Sequence, residues 1–250
     1  MAVNVNSAIS ALASQMQGAR KQVDFAARVA LTRTAQKAVP AVQHEMRDVF
    51  RNPTPYTLAG LRVEPATKTR LTATVMLKDE ATKATPAAKY MLPQIRGGQR
   101  GQKRFERALQ AVGAMPAGFR AVPGAGARLD AFGNMSRGQI VQLLAYFRAF
   151  PEAGYKANMT AEARARLARG SKRKQGYAYF VGRPGDRLPL GIYQRTNFAF
   201  GSAIKPVLLF VRSAVYTERF DMEYVVEKTV EKEFAGEFAR AMVEAERTSR

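Results

Sequence analysis

The sequence contains no cysteine, no tryptophan and a single histidine among its 250 residues. Without cysteine there is no disulfide framework, no thiol catalysis, no CxxC redox site and none of the common structural zinc sites, and a reduced compartment is the natural setting. One histidine leaves no basis for a His-rich metal site. Acidic residues are also scarce, 20 Asp plus Glu against 40 Lys plus Arg, so few carboxylate pairs are on hand for acid–base work. No stretch approaches the roughly 18 uninterrupted apolar residues that span a bilayer. The opening MAVNVNSAISALASQ lacks a basic segment followed by an apolar one. Neither a membrane span nor signal-directed export is therefore expected.

What is present is a foldable, strongly basic chain. Hydrophobic residues make up 46% and aromatics 9%, enough for a core and too much for a disordered basic tail. The formal charge of +20 and pI near 10.6 call for a large anionic partner, nucleic acid first, or for a close-packed assembly. Length favours one domain, or two at most.

Apolar residues recur at helical spacing from Ser7 to Phe50, through Ile9, Leu12, Met16, Ala19, Val23, Ala26, Ala30, Thr34, Ala38, Val42 and Met46. This predicts one long amphipathic helix, bent at Pro40 and ended by Arg51-Asn52-Pro53-Thr54-Pro55. Leu61–Pro65 and Arg70–Leu77 alternate with period two and read as a hairpin. Pro86 to Gln110 is basic, extended or looped at its start and helical over Lys103–Leu109. Gly113 to Gly133 is rich in Gly and Pro and reads as irregular chain. A helix is expected within Asn134–Phe150, capped by Ser136 and stopped by Pro151. Glu162–Gln175 reads as a mobile basic arm or loop. Strands follow at Tyr177–Val181, Gly191–Arg195 and Val207–Val211, the last central and buried. A final helix spans Thr217–Arg247, with Phe220, Tyr224, Val230, Phe234, Phe238, Met242 and Ala245 on one stripe. The predicted fold is a single α+β domain: long N- and C-terminal helices packed on one mainly antiparallel sheet, with a core at about 7–85 and 177–247 and an irregular basic insert at about 86–176 carrying one or two helices.

Charge is uneven along the chain. Residues 217–250 hold nine acidic and six basic side chains, a net of −3, which leaves +23 on residues 1–216. The acidic terminal helix is either an ordinary solvated face or lies against a basic neighbour, within the chain or on an adjacent subunit.

Enzymatic signatures fail on inspection. His44-Glu45-Met46-Arg47-Asp48 begins like HExxH but has Asp48 where the second zinc ligand belongs. Gly97-Gly98-Gln99-Arg100-Gly101-Gln102-Lys103-Arg104 lacks the spacing and the Ser or Thr of a phosphate loop. Gly124-Ala125-Gly126 alone is a weak dinucleotide signal. Asp130–Asn134 is turn chemistry. No catalytic, cofactor or metal-ligating set emerges, and the chain is expected not to be an enzyme.

Two basic clusters remain as candidate DNA- or subunit-contacting residues. In the first, Arg96, Arg100, Lys103, Arg104 and Arg107 span about three turns, and the last four could share a helix face with Phe105 turned inward. Such a face neutralises phosphates without reading bases, or salt-bridges to a subunit. The second cluster is Arg164, Arg166 and Arg169 with the run Lys172-Arg173-Lys174. Tyr177 and Tyr179 follow it, either as stacking platforms or as strand core.

Several strings resemble the neck proteins of tailed bacteriophages, nearest to the tail-completion or minor tail protein Z-like group. They are Pro53-Thr54-Pro55-Tyr56-Thr57-Leu58 running into Lys78-Asp79-Glu80, PAAKYMLPQIRGGQRGQKRFERAL at 86–109, ARLDAFGNMSRGQIVQLL at 127–144, and Lys205-Pro206-Val207 before a charged last helix. The likeness runs from about Val29 to Val243, and the stretch from Gly97 to Gly176 is longer than in the shorter members. It implies a virion protein of helices packed on a sheet, without enzymatic residues or cofactors. It further implies a ring, six or twelve subunits being expected, between portal or adaptor and tail proteins and around double-stranded DNA. The residues alone leave a second reading open, a sequence-nonspecific nucleic-acid-binding protein acting outside any particle.

Overall fold

The computed structural model describes residues 5–82, 84–151, 157–183 and 185–248, with side chains from Gly18 onward. The chain is α+β, with long terminal helices and antiparallel strands, the class the sequence predicts. Its contacts group it into two compact units, residues 1–97 with 217–250 and residues 98–216. The strands expected to join residues 7–85 thus fall into one unit with residues 98–175.

In the unit formed by the two ends of the chain, α1 (Val5–Val49) continues through Pro40. It runs antiparallel to α7 (Met222–Thr248), with Arg33 bonded to Glu244 and Lys37 to Glu233. On α1, Ala26, Ala30, Thr34, Ala38, Val42 and Met46 are all buried, one every four residues. Small side chains at that spacing bring the two helices close, and Ala241 and Ala245 are buried on α7. Ile9, Leu12 and Met16 of the predicted stripe lie outside the described side chains. Thr54 N-caps α2 (Pro55–Leu58), accepting from Thr57 N at 3.1 Å. The hairpin β1 (Leu61–Glu64) and β2 (Thr74–Leu77) pairs in register from Leu61↔Leu77 to Glu64↔Thr74 and packs on α1. Leu61 and Leu77 share a core with Val42, Met46, Phe220 and Met91 of α3 (Ala87–Arg96).

The charges on α7 have a use that an amphipathic stripe does not anticipate. Glu237 is only 4% exposed, held by Lys37 at 2.7 Å and Arg240 at 2.6 Å. Arg33 grips Glu244 with two bonds of 2.9 and 3.0 Å. The acidic helix therefore lies against basic side chains of its own chain. Tyr224 and Val230, expected on the buried stripe, are exposed, because the seam runs through Val225, Thr229, Glu233 and Glu237. Hydrogen bonds from Lys37 pull the Glu233 and Glu237 carboxyls below their ordinary range, and Arg33 does the same to Glu244.

The unit at 98–216 is built on a four-stranded antiparallel sheet. Its strand order is β4 (Arg120–Pro123), β9 (Gly201–Val211), β8 (Gly191–Phe198), β7 (Ala178–Gly182). The apolar run Val207–Val211 is central, as expected, flanked by β4 and β8. Leu109 of α4 (Arg104–Ala111) and Leu143 and Leu144 of α5 (Arg137–Tyr146) close the core over Tyr179, Ile192, Val207, Leu208 and Phe210. Ser136 caps α5 as predicted. Two short pairs complete the strands, β3 (Gly98–Gln99) with β10 (Val215–Tyr216) and β5 (Gly170–Ser171) with β6 (Lys174–Gln175).

Four expectations change. The strands form four antiparallel sheets among the described residues, where one was expected. Residues 87–96 are helical despite Pro93, because Ala87 and Met91 reach a core that propensity does not register. The Gly/Pro-rich stretch contains β4, whose ladder to β9 supplies what its composition lacks. The basic arm is ordered as α6 (Ala161–Arg169) and the β5–β6 hairpin. Gly170, at φ +77°, and Gly176 let the chain fold back so tightly that a Cβ on Gly176 would strike the Ala168 carbonyl. Tyr177 N–H then donates to Leu167 O at 3.0 Å.

The Thr34 hydroxyl, buried in the α1 seam, has no hydrogen-bond partner among the described residues. Thr34→Val keeps its volume and removes the unpaired polar atom. It is expected to raise stability by about 1 kcal/mol in chemical denaturation. A second expectation concerns Lys37: Lys37→Met should lower the thermal midpoint near pH 7 and matter progressively less as pH falls below the carboxylate range. The sign follows from the carboxyls it depresses, whose stabilisation is present above their unfolded pKa and lost on protonation.

Candidate nucleic-acid interface

Charge is also uneven between the two units. Residues 98–216 contain 20 basic and five acidic side chains, a surplus of +15, whereas the other unit carries 20 and 15. The few acids of the 98–216 unit are turned to local work. Asp130 Oδ1 accepts from Phe132 N and Asn134 N at 2.9 Å, closing the predicted turn. Asp186 Oδ2 accepts from Arg183 N at 2.8 Å. Glu162 sits in the first turn of α6, where backbone and Thr160 hydrogen bonds hold its carboxyl below the ordinary range. Glu152 lies outside the described residues.

The fifth acid, Glu106, organises the first basic cluster. It is fully buried and receives Arg100 Nη1 at 3.0 Å and Nη2 at 2.5 Å, Lys103 N at 2.7 Å and Ala121 N at 2.8 Å. Arg100 also donates to Ala121 O at 2.9 Å. Burial alone would raise the Glu106 carboxyl, but Arg100 and the two amides outweigh it and hold it below the ordinary range. Arg100–Glu106 is the only ion pair within 98–216 among the described residues.

The predicted residues consequently separate into roles. Arg100 is not on a helix face: it precedes α4 and is consumed by Glu106. Lys103 is the N-cap of α4, and Arg104 and Arg107 are exposed along that helix. Arg96 ends α3 in the other unit. Arg164 lies over the Tyr146 ring at 5.9 Å and docks α6, while Arg166 and Arg169 are exposed. Lys172, Arg173 and Lys174 stand exposed at the tip of the β5–β6 hairpin. Tyr179 of β7 is buried and Tyr177, just before that strand, is half-buried against the same core, so these rings are core.

Sequence reasoning missed the side chains beside that tip. Gln175 Nε2 donates to Asn197 O, which sets the basic hairpin against the end of the β8–β9 hairpin. There Phe198 is 56% exposed, Phe200 is fully exposed, and Lys205 is exposed. The signal was available: Phe198-Ala199-Phe200-Gly201 puts aromatics at a turn, where small and polar residues are the rule.

His44 and Asp48 face each other at 3.0 Å on an exposed turn of α1. No group of three or more His, Asp or Glu converges as a metal site among the described residues. No helix among them is long and apolar enough to cross a membrane. No family model, no curated protein and no solved structure matches the chain.

Glu106→Gln, which weakens the charge that four donors converge on, is expected to cost about 3 kcal/mol at pH 7. Because the native carboxyl is depressed, its contribution is complete above the unfolded pKa and fades as pH falls through the native one. The gap between wild type and variant in urea melts should therefore close on acidification below about pH 4.

Proposed function

We propose that this protein is a structural component of a tailed-bacteriophage virion, a ring-forming neck or tail-completion protein of the head-to-tail connector that surrounds the DNA channel. The observation that carries the reading is the segregation of charge: a unit with a +15 surplus whose described acids serve its own backbone and, among the described residues, a single buried ion pair. Repeated around a ring, such a unit lines a conduit with cations that meet phosphates without reading sequence. The family likeness of the strings at 53–58, 86–109 and 127–144 supports the same placement. In it, the partners are further copies of the chain, portal or adaptor subunits and tail proteins. The chain acts by position and charge, not by catalysis.

The same surplus also supports a nucleic-acid-binding protein that works outside any particle, and assembly separates the two. Mixed with portal, adaptor and tail-terminator subunits, the protein is expected to enter a closed ring detectable by mass photometry. A chain that stays monomeric in that mixture would contradict the connector reading. Duplex DNA binding is expected in either case, with log K falling linearly against log salt at a slope of about −5 if roughly six phosphates are contacted.

A further inference from the structure

The β8–β9 hairpin runs past the sheet that carries it. β7 pairs with β8 only as far as Arg195, and the chain leaving β4 follows β9 only to Pro206, where Gly126 N donates to Pro206 O at 2.8 Å, yet β8 and β9 continue to pair with each other out to Phe198↔Gly201. The result is a two-stranded ribbon ending in a tight turn, Ala199-Phe200, with Gly201 at φ +137°. Phe200 is fully exposed there, with Phe198 and Ile204 behind it. Phe200 leaves its whole ring uncovered at a protruding tip, and exposed apolar surface of this kind marks an interaction site.

The ribbon end is not isolated. The bond from Gln175 Nε2 to Asn197 O fixes the basic hairpin one residue from Phe198, bringing Lys172, Arg173 and Lys174 to the same end. Cross-strand pairing places Lys205, opposite Gln194, on the face that carries Phe198 and Thr196. None of these four cations has an acidic partner among the described residues. Flat exposed rings flanked by unpaired cations are the combination that holds a nucleic-acid strand, the cations on phosphates and the rings under bases.

We infer that the joined tips of the β5–β6 and β8–β9 hairpins form a nucleic-acid contact. Lys172, Arg173, Lys174 and Lys205 hold backbone phosphates, and Phe198 and Phe200 stack on unpaired bases. This rests on the reading that the 98–216 unit faces nucleic acid, and it goes beyond the duplex conduit in assigning the residues and a contact to unpaired bases. Charge favours this occupant over a second copy, which would bring its own cationic surplus to the tip. An anionic bilayer shares the charge but does not call for flat rings, and the test below includes it.

The test measures fluorescence anisotropy of a short oligothymidine and a blunt duplex with wild type, Phe198→Ala/Phe200→Ala and Lys172→Ser/Arg173→Ser/Lys174→Ser. All the substituted side chains are exposed, so folding is preserved. The double Phe variant is expected to bind oligothymidine about tenfold more weakly with an unchanged salt slope, and duplex nearly as wild type. The triple variant is expected to weaken both and to reduce the magnitude of the salt slope by about two to three. Three results would overturn the inference: equal oligothymidine binding by the double Phe variant, loss of ring assembly by that variant with DNA binding intact, or wild-type binding to phosphatidylserine vesicles but not to oligothymidine. Wild type that assembles and binds DNA beside an unaffected Phe variant defeats this inference alone. Wild type that never assembles defeats the connector reading and leaves the oligothymidine comparison to stand by itself.

Discussion

Within the 98–216 unit, a buried carboxylate with four donors fixes the geometry that everything around it uses. Glu106 accepts two bonds from Arg100, one from the Lys103 amide at the start of α4, and one from the Ala121 amide on edge strand β4. A buried charge is tolerated only when its lone pairs are met, and here the donors come from the loop before the helix, the helix terminus and the sheet. The pair therefore acts as a clamp between three segments, of which only the helix is expected from the sequence. It also removes one arginine and one glutamate from the surface, which leaves Arg104 and Arg107 exposed on the helix it secures.

The same economy runs through the unit. A basic protein can neutralise itself with surface ion pairs, as α1 and α7 do through Arg33, Lys37 and their glutamates. Among the described residues, 98–216 hold no such surface pair: Asp130 and Asp186 accept from backbone amides, Glu162 sits in the first turn of α6, and Glu106 is buried. Several arginines are spent on packing instead: Arg164 over Tyr146, Arg195 over Phe180 at 4.8 Å and Arg212 over Phe119 at 5.8 Å. What remains is a cationic surface whose like charges have few acidic partners among the described residues.

Much of the fold was legible in the sequence wherever periodicity reported burial. The long α1 stripe through Ala26, Ala30, Ala38 and Met46, the β1–β2 hairpin, the Ser136 cap and the buried Val207–Val211 strand all follow from spacing and local chemistry. The misses share one cause, contacts made at a distance. Residues 87–96 are helical because Met91 finds Phe220's core, and β4 is a strand because β9 is beside it. The 162–175 arm is ordered because two glycines let it double back. Of the candidate site, the cationic residue types were readable but their grouping was not. Arg100 looked like its helix-face neighbours until Glu106 claimed it, and Lys172–Lys174 gained a partner surface only through the Gln175–Asn197 bond.

Lysine-acetylation footprinting with and without duplex DNA tests most directly the claim that the cationic 98–216 unit is the face offered to a polyanion. Exposed lysines stand on both units, so each serves as the other's control within one sample. The account predicts that DNA protects Lys103, Lys172, Lys174 and Lys205 while Lys21, Lys68, Lys228 and Lys232 stay reactive. Equal protection of both sets, or protection concentrated on the terminal helices, would contradict it.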